Sequence, residues 1–343
     1  MEKIYSSVSA NLIEFNQSKA KILAEIIRNI ELPEEQEAID HSFDLKLTND
    51  QLANCYFAIV AICHQTSPLG ERPFEGYIGK EYKKGWNYLK EKFLLAANAD
   101  NRLALPEFWE SMTPTDLSEL YYDYKYGLTL NRITERSYLL NDIGKKLTLP
   151  NYTYIKQAFE TCESMISGKN GFLNHLQEYI PYTDPLNKKA FFFLSLAKNE
   201  CSWKIKDEKF MLSPIDYHEI RGHLRIGTIL ICDKGLLNKV VKNLPITDDE
   251  DIAIRSAAQQ ANDWIAKQLN ITNSVLHYFF WNTFRSCCLR QNPHCSNCAE
   301  NCSLPIQYKN LRIYSKKCIF ESVCSSREAE IKVIDPPYLG HYY

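Results

Sequence analysis

The chain of 343 residues is about twice the length of a typical single domain, so one large or two modest domains are expected. Twelve glycines are too few for Gly-punctuated sandwiches or Gly-rich nucleotide-binding folds, and neither G-x-G-x-x-G nor G-x-x-x-x-G-K-[ST] occurs. An apolar content of 45% excludes disorder, and no uncharged apolar run is long enough for a membrane span or a signal peptide, so a soluble, cytoplasmic protein is expected. The net charge of −2 does not advertise a nucleic-acid partner. The two halves differ, however: residues 1–150 hold 17 basic and 22 acidic side chains, and the remainder 23 and 20. A local basic groove in the second half is compatible with that balance but not shown by it.

In chain order, Ile22, Leu23, Ile26, Ile27 and Ile30 fall on one helical stripe that ends at Leu32-Pro33. Residues 51–63 form a second apolar run. The stretch His64–Gly79, with Pro68, Gly70, Pro73 and Gly76, is the longest loop-like segment. Helical patterns resume at 80–97, 114–128 and 153–168. Residues 188–199 predict a buried helix approached through Asp184-Pro185-Leu186-Asn187. Thr247 and Glu250 have capping-box spacing, predicting a helix from there to about Leu269. Another opens at Asn273 or Ser274 and ends near Cys287. The expected class is all-α. The predicted divisions are an N-terminal helical region at 1–170, a catalytic region at 171–286, a cysteine loop at 287–304 and a C-terminal extension at 305–343.

Seven of the twelve cysteines crowd into Cys287–Cys324. A disulfide scaffold would be small, secreted and evenly stapled, so local crowding points to metal ligation. Cys288-x6-Cys295-x2-Cys298-x3-Cys302 brings four thiols within fifteen residues, a donor set for tetrahedral zinc or an iron–sulfur cluster. Cys318 and Cys324 are alternatives for the fourth ligand.

The run Phe284-Arg285-x-x-Cys288 followed by x6-Cys-x2-Cys and a further Cys resembles the [4Fe–4S] loop of endonuclease III and MutY-type enzymes. These belong to the helix–hairpin–helix DNA glycosylase superfamily. The family loop is C-x6-C-x2-C-x5-C, whereas the last gap here is three residues. A second segment, P-I-D-Y-H-E-I-R-G-H-L-R-I-G from Pro214, resembles the family's segment around its catalytic aspartate, with Asp216, His218, Arg221 and Arg225 at matching offsets. Read without the family, Asp216 is an N-cap of a helix starting near Tyr217.

The resemblance covers roughly residues 170–305. It implies a two-lobed helix–hairpin–helix glycosylase-like fold, a [4Fe–4S] cluster with zinc as the alternative, and a monomer acting on double-stranded DNA. A modified base would be flipped into a pocket between two helical lobes and its N-glycosidic bond cleaved, in repair or in defence against phage with modified DNA. Asp216 would stabilise positive charge developing on the sugar. Bifunctional members add a lysine that attacks the sugar carbon. Lys188 overlays that position best, and its neighbour Lys189 is the other candidate. The family's L-P-G-[VI]-G hairpin is replaced here by Tyr182–Asn187, as in the divergent archaeal 8-oxoguanine glycosylase branch. DNA contacts would fall to Asn187 at the start of the 188–199 helix, His218, Arg221 and Arg290. Two other readings stay open: a glycosidase acting on a nucleoside, nucleotide or RNA, and a non-catalytic zinc-stapled nucleic-acid module.

Overall fold

A computed structural model describes residues 12–33, 43–67, 71–295, 304, 318–327, 329, 333–338 and 340–342. The chain is mostly helical, and its strands form three antiparallel pairs among the described residues. No described helix is long and apolar enough to cross a membrane. Two units emerge. One comprises residues 1–36 and 211–339 and carries Asp216; the other comprises residues 37–210 and 340–343 and carries Lys189. The expected boundary at residue 170 therefore falls inside the second unit, and the N-terminal segment belongs with the C-terminal half.

The reason for that pairing is visible in the Asp216 unit. Ile13–Phe15 pairs antiparallel with Ile229–Ile231, and the following helix Gln17–Arg28 packs on Asp248–Leu269. Ala20, Leu23, Ala24 and Ile27 are the buried side of the N-terminal helix, while Ile22 is 46% exposed. The predicted stripe was therefore one residue too wide, because small alanines between the larger residues supply the close-packed side. Helix Tyr217–Ile226 crosses Asn273–Ser286 at Gly222, where an added Cβ would lie 2.3 Å from the Phe284 ring. Phe280, Phe284 and Phe320 complete an aromatic centre, with Phe280 and Phe284 stacked at 5.3 Å.

In the Lys189 unit, Asn49–Ala61 is buried from Leu52 to Ala61, which is why its apolar run lacks helical alternation. Thr48 and Gln51 form a capping box at its start. Lys188–Cys201, the buried helix expected at 188–199, packs along it, with Phe57 stacked on Tyr182 at 4.8 Å and edge-on to Phe193. The buried Asn54 donates to the carbonyls of Ala104 and Thr153 and accepts from Ile155 N–H, tying two segments to this helix. Two stretches expected to be helical begin or end as strands. Glu75–Ile78 pairs with Glu81–Lys84 before the helix Trp86–Ala99, and Tyr122–Asp123 pairs with Gly127–Leu128 after the helix Pro114–Leu120. Tyrosine-rich sequence with glycine at left-handed positions (Gly79, Gly127) outweighs helical spacing there. Between 153 and 168 only Ile155–Thr161 is α-helical.

Gly144, in the helix Ile133–Thr148, lies against the backbone of Pro106–Glu110, so that a Cβ would sit 2.4 Å from Glu110 N and 2.7 Å from Pro106 O. Replacing a mid-helix glycine by alanine normally gains about 1 kcal/mol. Here rigid backbone atoms reverse the sign, and Gly144→Ala should destabilise the protein by about 1–3 kcal/mol in urea unfolding. A variant more stable than the parent would show that the two helices are not in this contact.

Candidate functional site

Asp216 occupies the N-cap of helix Tyr217–Ile226 in extended backbone. Its Oδ1 accepts from the backbone N–H groups of His218 at 2.8 Å and Glu219 at 3.3 Å. Its Oδ2 accepts from the indole Nε1 of Trp281 at 2.9 Å. Three N–H donors and a helix N-terminus therefore face a partly buried carboxylate, a setting that favours negative charge. The indole is itself fixed, because the Arg285 guanidinium lies 4.7 Å over its ring. Burial pulls the Arg285 pKa down from its ordinary value.

Behind the cap, Glu219 is fully buried and accepts from Asn262 Nδ2 at 2.8 Å, with His277 Nδ1 at 2.7 Å. Asn262 Oδ1 faces His223 Nε2 at 2.9 Å. Because the Asn262 amide donates to Glu219, its oxygen accepts, which assigns the proton to Nε2 of His223. Burial lowers the pKa of His223 to about 4, so the ring is neutral near pH 7. This polar layer holds the first turn that Asp216 caps.

The arginines on the same helix turn away from solvent. Arg221, at 1% exposure, donates to the carbonyls of Cys288 and Phe284, reaches His218 Nδ1 at 2.8 Å, and pairs with Asp335. It is therefore a scaffold for the cysteine loop rather than a phosphate contact, as the close matching of helix and loop leaves it no route to solvent. Arg225 donates to the carbonyls of Val333, Cys288, Leu289 and Arg290 and approaches Cys288 Sγ at 3.2 Å. Arg290 pairs with Asp335 at 2.7 Å and lies 4.6 Å over the Tyr217 ring, so its charge is already met within the unit. His218 remains partly exposed beside Asp216.

Cys288 and Cys295 line one cavity together with Cys287, Cys318 and Cys324, about 530 Å³ including its open mouth. Phe284 and Phe320 form part of the same wall. The Cys318 backbone N–H donates to the Cys295 carbonyl at 3.0 Å, and Cys324 Sγ donates to the Arg225 carbonyl at 3.4 Å. Cys298 and Cys302 lie outside the described residues. Among the described residues no three Cys, His, Asp or Glu side chains are gathered closely enough to hold a single metal ion. The donor chemistry nevertheless suits a thiolate-ligated group. Five cysteines from two chain segments line one apolar cavity, and the Arg225 guanidinium beside Cys288 would offset thiolate charge.

In the other unit, Lys189 is fully buried and donates from Nζ to the Ala61 carbonyl at 2.6 Å, at the end of helix Asn49–Ala61. Burial lowers its pKa to about 7, and the nearby Lys188 and Arg136 charges add to the effect. Arg136 donates to the Ile62 and His64 carbonyls at the same helix end. His64 is fully buried, and neither ring nitrogen has a hydrogen-bond partner among the described residues; its closest carboxylate oxygen is Glu135 Oε1 at 3.6 Å. Burial, then the Arg136 and Lys189 charges, push the His64 pKa well below its ordinary value. Lys188 is only half-buried, its Nζ 5.3 Å over the Phe192 ring.

Asn187 takes a left-handed conformation and accepts from Gln177 Nε2. The N-terminus of Lys188–Cys201 already has an anion: the fully buried Asp184 accepts from the Leu186 and Lys188 N–H groups at 3.2 and 2.8 Å. A phosphate expected at this helix start would compete with that carboxylate.

No protein-family model matches the chain, and no curated protein is similar to it.

Because the folded pKa of Lys189 lies below its ordinary 10.5, the unfolded chain binds the extra proton between about pH 7 and 10.5. The buried amine therefore costs stability at and below pH 7, and the cost fades as pH rises through that window. The shift corresponds to an upper bound on the order of 5 kcal/mol. Lys189→Met should gain stability relative to the parent at pH 6, and the gain should shrink steadily toward pH 10 in paired urea titrations. A pH-independent difference would mean that the amine keeps its ordinary pKa.

Proposed function

We propose that the protein is a DNA N-glycosylase of the helix–hairpin–helix type, excising a modified base with Asp216 as the charge-stabilising group. The observation that carries this reading is the triply donated Asp216 carboxylate at the start of Tyr217–Ile226. In base excision the C1′–N bond breaks, the base leaves with the bonding pair and takes up a proton, and positive charge collects on the sugar. A prearranged carboxylate beside that carbon stabilises the charge without having to reorganise. Water, or a neutral amine, then forms the new bond to C1′. Lys189 is the amine better suited to the second course, because burial lowers its pKa to about 7 and so favours the neutral form. Its enclosure requires local opening before it can reach a substrate.

Cys288, Cys295, Cys318 and Cys324 would hold the thiolate-ligated group, and when bound that group supplies a cross-link joining two distant segments of chain. Arg221 and Arg225 then transmit its rigidity to the helix that Asp216 caps. If this ligand set is correct, Cys318→Ser and Cys324→Ser should each lower the iron and acid-labile sulfide of the purified protein, whereas Cys298→Ser and Cys302→Ser should leave both unchanged. Zinc without sulfide would assign a structural zinc site instead. Retention of metal by the Cys318 and Cys324 variants would return the site to the contiguous cysteines.

The catalytic reading is tested with duplexes each carrying one oxidised, deaminated or alkylated base, together with phage-derived modified DNA, scored for abasic sites. Asp216→Asn should lower base release about 10²–10³-fold while DNA affinity changes little. Borohydride should trap a covalent adduct with the parent and with Lys188→Gln but not with Lys189→Gln. Undiminished turnover by Asp216→Asn would remove the proposal.

A further inference from the structure

The two strand pairs of the Lys189 unit present an unusual surface. In the first, Tyr77 and Tyr82 are cross-strand partners, and both lie on the side away from the buried Gly76 and Ile78. In the second, Tyr122 and Tyr124 are 58% and 80% exposed. The hairpins are joined by their backbones and short side chains: Tyr77 N–H donates to Asp123 Oδ2 at 2.7 Å, and Thr129 Oγ1 bridges both backbone groups of Glu75. This joins the rings into one cluster. Tyr77 stacks on Tyr126 at 5.9 Å, meets Tyr82 at 5.9 Å and lies 6.4 Å from Tyr124.

Cations sit among the rings. Arg72 lies 4.9 Å over Tyr126, and Lys125 Nζ is 5.0 Å over Tyr77. The local carboxylates are already engaged. Asp123 is buried and accepts from three backbone N–H groups, and Glu75 is bound by Arg72 and Tyr82. Glu81 and Glu91 both pair with Lys83. Lys80 and Lys84 are exposed and make no ion pair among the described residues. A hairpin stabilised only by its own rings would need neither tyrosines as exposed as Tyr122 and Tyr124 nor a surplus of outward cations.

We infer that this tyrosine–cation face is a docking surface for a DNA strand with unpaired bases, the bases stacking on tyrosine rings while Lys80, Lys84 and Lys125 meet phosphates. Exposed aromatics supply sequence-tolerant stacking, and interleaved cations track the backbone. The inference rests on the DNA reading above for the kind of partner, but uses none of the residues assigned to catalysis.

The test is fluorescence anisotropy of the full chain with a labelled dT20 strand and with a blunt duplex of the same length. The parent should prefer the single strand. Tyr124→Ala should weaken dT20 binding about fivefold or more, and Tyr124→Phe, which keeps the ring, should restore it. Lys84→Gln/Lys125→Gln should flatten the slope of log affinity against log salt by about 1.4. Asp216→Asn should bind dT20 like the parent, and Tyr124→Ala should still excise at saturating duplex, so the two proposals fail separately. Equal affinity of parent and Tyr124→Ala for dT20, with the fold intact by circular dichroism, overturns the inference, as does a parent that binds the duplex better than the strand.

Discussion

Much of the Asp216 unit depends on two buried guanidinium groups that grip backbone carbonyls. Arg221 and Arg225 project from the helix that begins immediately after Asp216, and between them they bind the carbonyls of Phe284, Cys288, Leu289, Arg290 and Val333. Carbonyl oxygens do not neutralise a buried cation, and Asp335 supplies a carboxylate that Arg221 shares with Arg290. Removing either arginine would leave several buried acceptors without donors, a loss far greater than that of a surface ion pair. The cap carboxylate and the cysteine cavity are thus coupled through one short helix.

Within these elements, neighbouring polar residues differ sharply in how far they are enclosed. His218 and Arg221 are three apart and bonded to each other, yet only His218 keeps an exposed edge beside Asp216. The same distinction applies to the lysines. Lys188 is half-buried over an aromatic ring, whereas Lys189 is enclosed at a helix C-terminus with a partner carbonyl and a lowered pKa. The helix dipole at Ala61 favours a cation and burial disfavours one, and burial is the larger effect.

Long capped helices were legible from sequence because their signals are local. Thr247 with Glu250 marks Asp248–Leu269, and the apolar run after Asn187 marks Lys188–Cys201. Asp216 was legible for the same reason, since an N-cap is defined by its own neighbours. Long-range relations were not. Trp281 contacts Asp216 across sixty-five positions, and Asp335 reaches Arg221 across a still longer gap, with no periodicity to betray either. Cys318 and Cys324 were seen as substitutes for one ligand, but their joint place on the cavity wall depends on how the chain returns from beyond Cys295. The short strand pairs at 75–84 and 122–128 escaped because the strand 75–78 lies in a stretch with loop composition and the other three lie in stretches with helical patterns.

The pairing of Ile13–Phe15 with Ile229–Ile231 also has a temporal side. During synthesis the first strand must wait until about 200 further residues have left the ribosome, which at ordinary elongation rates is roughly 10–40 s. Over that interval nearly all of the Lys189 unit has emerged and is free to collapse around the Asn49–Ala61 helix. The amphipathic Gln17–Arg28 helix meanwhile remains without the Asp248–Leu269 surface that covers Leu23 and Ile27. The apolar side of that helix is therefore exposed in the nascent chain for as long as its partner is unmade.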